Sequence, residues 1–113
     1  MRDFPISIMP EEESLLEVDP TREIVITTTD FSFIPSDITV QAGEPARIVF
    51  RNMGNEPHNW GVEEFRYLRS LVIAPGDSDT FEFIVPEERG TFTVYCSVPG
   101  HRENDMVGAM HIE

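Results

Sequence analysis

Cys96, His101 and Met106 stand at intervals of five residues in the text Tyr95-Cys96-Ser97-Val98-Pro99-Gly100-His101-Arg102-Glu103-Asn104-Asp105-Met106-Val107-Gly108. A thiol, an imidazole and a thioether in one loop are metal donors. Pro99-Gly100 forces a chain reversal that turns Cys96 and His101 toward a common point. A fourth donor, His58, lies upstream in Asn55-Glu56-Pro57-His58-Asn59-Trp60, where a strand leaves a turn bearing Gly54 and Pro57. Two imidazoles, one thiolate and one thioether suit copper. Thioethers bind magnesium, calcium and zinc poorly, whereas a trigonal His2Cys set with a weak axial methionine is a copper electron-transfer arrangement. Structural zinc sites more often carry closely spaced cysteine pairs, which a chain with one cysteine lacks.

Each of these residues has a plainer role to compete with. A lone cysteine is ordinarily a buried core thiol, but the Ser-x-Pro-Gly-His text after Cys96 argues for a ligand loop. Met106 has the strongest competing role, because methionine fills core gaps and a copper site survives without a close axial donor. His111 is not a ligand: Met110 and Ile112 face inward on the last strand, which puts His111 on the opposite, exposed face. Met53 and Met110 each sit alone and read as core or rim residues, and Trp60 packs near the site. A Cys–His hydrolase would need an exposed thiolate beside a base and an oxyanion site, so no enzyme constellation competes. With no second cysteine, a thiolate-bridged binuclear centre is excluded.

The ligand pattern resembles the cupredoxins, small type 1 (blue) copper proteins. Pro57-His58-Asn59 carries the likeness, with Tyr95 to His101 and Met106-Val107-Gly108; Phe31 to Pro35 and Ile38 to Gly43 extend it more weakly, over about residues 23–112. The resemblance implies His58, Cys96 and His101 as equatorial ligands of one copper ion and Met106 as the axial one. The fold it implies is an all-β, Greek-key β-sandwich. It also implies ties around the ligands: the Asn59 side chain bridging to Ser97, and backbone N–H groups aimed at the Cys96 sulfur. Asn104-Asp105 departs from the small residues many relatives carry before the methionine, and a carboxylate there would favour the oxidised ion.

The elements that must position these donors are strands. Ten valines, ten isoleucines and eight threonines outweigh four alanines and four leucines, a bias toward pleated surfaces. The chain has 113 residues, enough for one core. Short β-rich runs alternate with turn signals about every ten residues, the pattern of seven to eight antiparallel strands in a sandwich or barrel. Strands are expected at Glu23–Thr29, Asp37–Gln41, Ala46–Arg51, Asn59–Val62, Ser70–Ile73, Thr80–Val85, Thr91–Cys96 and Ala109–Ile112. Phe92, Val94 and Cys96 form one inward row. Val62, Phe65 and Leu68 are spaced for a helical turn or two. Residues 1–22, with three consecutive glutamates and three prolines, read as an acidic arm or linker ahead of a domain over 23–113.

The formal charge is −13, with eight arginines and no lysine against 21 acidic residues. That disfavours nucleic acid and direct binding to an anionic membrane, and selects a basic partner. No apolar run approaches the ~20 residues of a membrane span. The expected role is a monomeric one-electron carrier cycling copper between cuprous and cupric states, not an enzyme. Its partners would be redox proteins with basic docking surfaces, such as a cytochrome or oxidase, and electrons would leave by the His101 edge amid Met53, Val98, Pro99 and Gly100. Copper delivery or sensing, or origin as a detached domain of a larger oxidase or reductase, are the alternatives. The resemblance implies a periplasmic or other extracytoplasmic location, with a membrane tether in the native precursor.

Overall fold

The computed structural model describes residues 21–113. Eight strands are present among them: β1 (Arg22–Thr29), β2 (Ser32–Ile34), β3 (Asp37–Val40), β4 (Pro45–Asn52), β5 (Gly61–Val62), β6 (Ser78–Ile84), β7 (Gly90–Tyr95) and β8 (Val107–Ile112). A single 3-10 turn, Arg102–Asn104, interrupts the loop before β8. No helix among the described residues is long and apolar enough to cross a membrane. Of the expected arm, residues 1–20 lie outside the described part, and Arg22 already pairs with Ala46 in the first strand pair.

Two four-stranded sheets form the sandwich, one in the order β2-β1-β4-β6 and the other β3-β8-β7-β5. Period-2 alternation writes the core directly. Ala46, Ile48, Phe50 and Asn52 of β4 are buried and alternate with more exposed neighbours; on β7, Phe92 and Val94 point inward and Cys96 continues their row. Ile26, Val40, Trp60, Val62, Leu68, Val85, Met110 and Ile112 complete the packing. Each such side chain removed from water contributes about 1.5–3 kcal/mol.

Both sheets are mixed, which corrects the expectation of purely antiparallel strands: β1 runs parallel to β4, and β3 parallel to β8. Each parallel pair is made possible by a chain that leaves one sheet, runs through the other and returns. The expected strand Ser70–Ile73 is also absent. Two isolated bridges stand there instead, His58 with Ile73 and Gly61 with Arg69, and their registers differ by one residue. The extra residue pushes Leu71 and Val72 outward, 70% and 56% exposed, as a bulge does. The Ser70 hydroxyl then accepts the Trp60 N–H at 3.0 Å, while Ser70 N–H donates to the Trp60 carbonyl at 2.8 Å. Residues 62–68 form two successive turns, with N–H of Phe65 to the Val62 carbonyl and of Leu68 to the Phe65 carbonyl. The expected inward spacing is kept: Val62 and Leu68 are buried and Phe65 packs on the core.

Candidate metal centre

The parallel β1–β4 pair decides where the site forms. Because the strands share a direction, their C-terminal ends finish side by side, and the Met53 N–H donates to the Thr28 carbonyl at 2.8 Å. That juxtaposition delivers the β1–β2 turn, with Asp30 and Phe31, and residues 53–58 to one pole. The β7–β8 loop arrives there from the second sheet. Gly61 pairs with Tyr95 across β5 and β7, so Asn59 and Trp60 run alongside Cys96 and Ser97.

All four residues singled out from the sequence are buried: His58, Cys96 and Met106 are fully enclosed, and His101 is 4% exposed. One donor atom each from His58, Cys96 and His101 lies within 4.8 Å of the others. The two Nδ1 atoms are 3.1 Å apart, and His101 Nδ1 is 3.5 Å from Cys96 Sγ. Met106 is held beside them by its backbone. Its N–H donates to the His101 carbonyl at 3.2 Å, and its carbonyl accepts the Cys96 N–H at 3.3 Å.

The far side of each imidazole meets a carboxylate. His58 Nε2 donates to Asp30 Oδ1 at 3.0 Å, and His101 Nε2 donates to Glu56 Oε1 at 2.8 Å. A carboxylate only accepts, so both Nε2 atoms carry the hydrogen, and in a neutral ring that leaves the Nδ1 lone pair to face the pocket. Two imidazole nitrogens and a sulfur converge in a buried space where a single thiol proton can serve only one of the nitrogens, and this donor set fits a copper ion. Asp30 Oδ1 also accepts the N–H groups of Asn55 and Glu56, at 2.9 and 3.2 Å. The His58 hydrogen bond, followed by that from Asn55, holds the Asp30 carboxyl below its ordinary pKa. A side chain on Gly54 would collide with Asp30 Oδ1, so only glycine lets the loop close this tightly.

Phe31 walls the same pole. Its ring stands edge-on to His101, centroids 5.1 Å apart, and to His58 at 6.4 Å. To reach that position it adopts φ 70°, a left-handed conformation that a bulky residue takes up only under tertiary constraint. Asn52, fully buried at the end of the β4 inner row, shapes the loop below His58. Its Nδ2 donates to the carbonyls of Glu56 and Ile73 at 2.8 and 3.0 Å, and its Oδ1 accepts the Gly54 N–H at 2.8 Å.

The expected bridge is present. Asn59 Nδ2 donates to Ser97 Oγ at 3.0 Å, Asn59 Oδ1 accepts the Ser97 N–H at 2.8 Å, and the Asn59 N–H points at Cys96 Sγ at 3.5 Å. Asn59→Ala removes both side-chain bonds, and a loss of about 2 kcal/mol in urea unfolding is expected. His111 lies on the face opposite Met110 and Ile112; it is half-buried rather than exposed, because Thr91 and Asp37 bracket its ring at 3.0 and 3.2 Å. Asp105 is exposed, and the carboxylates that touch the histidines belong to Asp30 and Glu56. Glu56 stands two residues before His58 and is caught by nearness alone, whereas Asp30 carries no local signal.

The loop between His101 and Met106 is fastened from outside. Arg102 pairs with Glu63 at 2.9 Å and lies 4.6 Å over the Tyr95 ring, and Asn104 Nδ2 donates to the Gly100 carbonyl at 2.9 Å. Gly108 then passes so close to the Ser36 carbonyl that a Cβ there would collide with it.

A family model described as a cupredoxin-like domain matches residues 8–108. Among solved structures, the dithionite-reduced auracyanin of Roseiflexus castenholzii is 20% identical, with TM-score 0.72 over 82% of this chain and 98% of that one. Auracyanin A of Chloroflexus aurantiacus, described as a "blue" copper protein, is 22% identical, with TM-score 0.71 over 83% of this chain and all of that one (100%). A multicopper oxidase shares the fold at 21% identity and TM-score 0.69, over 86% of this chain and 44% of the oxidase. No curated protein sequence matches the chain.

Proposed function

The chain belongs to the cupredoxin-like domain family, and on that premise we propose that it is a one-electron carrier that would hold a single copper ion on His58 Nδ1, Cys96 Sγ and His101 Nδ1, with the buried Met106 as a weak fourth donor. The observation that carries this reading is the convergence of two Nδ1 atoms and one sulfur within 4.8 Å in a buried pocket, both imidazoles already anchored through Nε2.

Bound copper supplies a one-electron couple between cuprous and cupric states. The protein supplies a cage that keeps its shape. Cys96 would hold the ion as a thiolate, its proton released to solvent on binding. Pro57 and Pro99 fix the backbone on the approach to each histidine. Asn59 ties the His58 segment to the Cys96 strand end, and Phe31 fills the wall beside both rings. Donors that need not move between oxidation states make little demand on reorganisation, and exchange is fast.

His101 retains 4% exposure where His58 has none, so the His101 side is the shorter way out for an electron. Glu56 rather than solvent covers its Nε2, a difference from the purely apolar rim expected from Met53, Val98, Pro99 and Gly100. Met53 is 67% exposed at this pole and offers apolar surface to a partner. The formal charge of −13 favours a redox protein with a basic docking face. Second-order electron-transfer rates with a basic cytochrome are therefore expected to fall about tenfold or more as salt rises from ~0.01 to ~0.5 M. Rates independent of ionic strength would remove charge from partner selection. A periplasmic or other extracytoplasmic home accords with this role.

The test is a titration of the full chain with cupric salt, followed by voltammetry. An intense visible thiolate-to-copper band saturating at one equivalent, with a fast reversible wave, is the expected result; a colourless end point defeats the reading. Rapid hand-over of copper to a chelator, with a sluggish wave, would favour delivery over electron carriage.

A further inference from the structure

The two carboxylates behind the histidines form a connected set. Asp30 reaches across from the β1–β2 turn and binds His58 Nε2; the same oxygen accepts the Glu56 N–H; and the Glu56 side chain reaches the second histidine, His101 Nε2. One hydrogen-bonded path thus runs from His58 through Asp30 and Glu56 to His101. Neither carboxylate belongs to the donor set facing the pocket, and both side chains keep water on one side, at 28% and 51% exposure.

We propose that Asp30 and Glu56 are positioning residues that pin both imidazoles as Nδ1 donors and draw the reduction potential of the centre downward. The inference rests on the copper reading above. A carboxylate accepting from Nε2–H raises electron density at Nδ1 and strengthens its bond to a metal. Two negative charges, each one imidazole away from the ion, also favour the more highly charged oxidation state. Both effects act in the same direction, and they act at both histidines. Gly54 and the Asn52 side chain serve this arrangement by letting the loop close over Asp30.

Asp30→Asn and Glu56→Gln keep size and an acceptor oxygen while removing the charge, so a merely structural role would leave the potential where it was. The experiment is voltammetry of the copper-loaded wild type and of each variant, alongside visible spectra. It is paired with nitrogen NMR of the metal-free proteins to read the Nε2–H signals of His58 and His101. Each substitution is expected to cost copper(II) binding about tenfold more than copper(I) binding, which is a rise in potential of ~59 mV. In the metal-free wild type, both histidines are expected to show protected Nε2–H, and exchange to quicken at His101 in Glu56→Gln. Unchanged potentials in variants that retain the intense band, or a wild type with hydrogen on Nδ1 instead, overturn the proposal. A colourless wild type overturns the copper reading instead. Should Asp30→Asn fail to fold, Glu56→Gln alters a half-exposed side chain and suffices alone: a raised potential there supports the proposal, and an unchanged one overturns it.

Discussion

Cys96→Ser is expected to abolish the intense visible band of the copper-loaded protein and to weaken copper(II) binding at least about a hundredfold, while the chain still folds. The thiolate is the one donor whose charge balances the ion and whose orbital gives the transition its strength. A hydroxyl at the same place stays neutral near pH 7 and is a poor ligand for a soft metal. Folding survives because serine matches cysteine in shape and Cys96 ends the inner row of β7 rather than sitting at its centre. The buried hydroxyl has His101 Nδ1 within reach as an acceptor, since the sulfur stands 3.5 Å from it. Retention of the band in the serine variant would show that its sulfur comes from elsewhere, and no other cysteine exists to provide it.

The second large effect is expected from Asn52→Ala, a residue with no part in binding metal. Its side chain is fully buried and makes three hydrogen bonds to backbone groups of Gly54, Glu56 and Ile73. At about 1 kcal/mol for each bond, with a further penalty for groups left unpaired in the interior, unfolding in urea should lose about 3 kcal/mol or more. That exceeds the cost at Asn59, because Asn59 makes two side-chain bonds and its partner Ser97 is open to water. The loop Asn52 shapes presents His58 and Glu56, so copper should also leave this variant faster. A loss no greater than that of an ordinary surface substitution would mean the loop holds itself without Asn52.

How far the site was legible follows from how local its causes are. Cys96, His101 and Met106 share one loop, and the proline-glycine reversal between the first two is enough to gather them. His58 stood out as a fourth donor from its turn, but its place in the ligand set and the Asn59–Ser97 bridge needed the cupredoxin resemblance, because nothing in the residues between dictates that the two loops meet. Asp30 was invisible: its role follows from the parallel pairing of β1 with β4, and parallel register is set by contacts far apart in sequence. Asn52 was missed, because the expected strand stopped at Arg51, yet a signal for it existed. The row Ala46, Ile48, Phe50 points its next member inward, and an asparagine there must find buried partners.

The strand expected at Ser70–Ile73 fails to form for a similar reason. Leu71-Val72-Ile73 has the composition of a strand, but a one-residue slip against the His58 segment turns two of its apolar side chains to solvent. A bulge leaves no mark in composition. The alternation in β4 and β7, by contrast, survives intact, because burial of one face repeats the same physical demand at every second residue.

Anomalous diffraction from crystals of the copper-loaded chain tests the account most directly. One copper peak bonded to His58 Nδ1, Cys96 Sγ and His101 Nδ1, with Asp30 and Glu56 still on the Nε2 atoms, is the predicted result. Copper found at the His111–Asp37 pair or on surface carboxylates, with the pocket between the three donors empty, would contradict it.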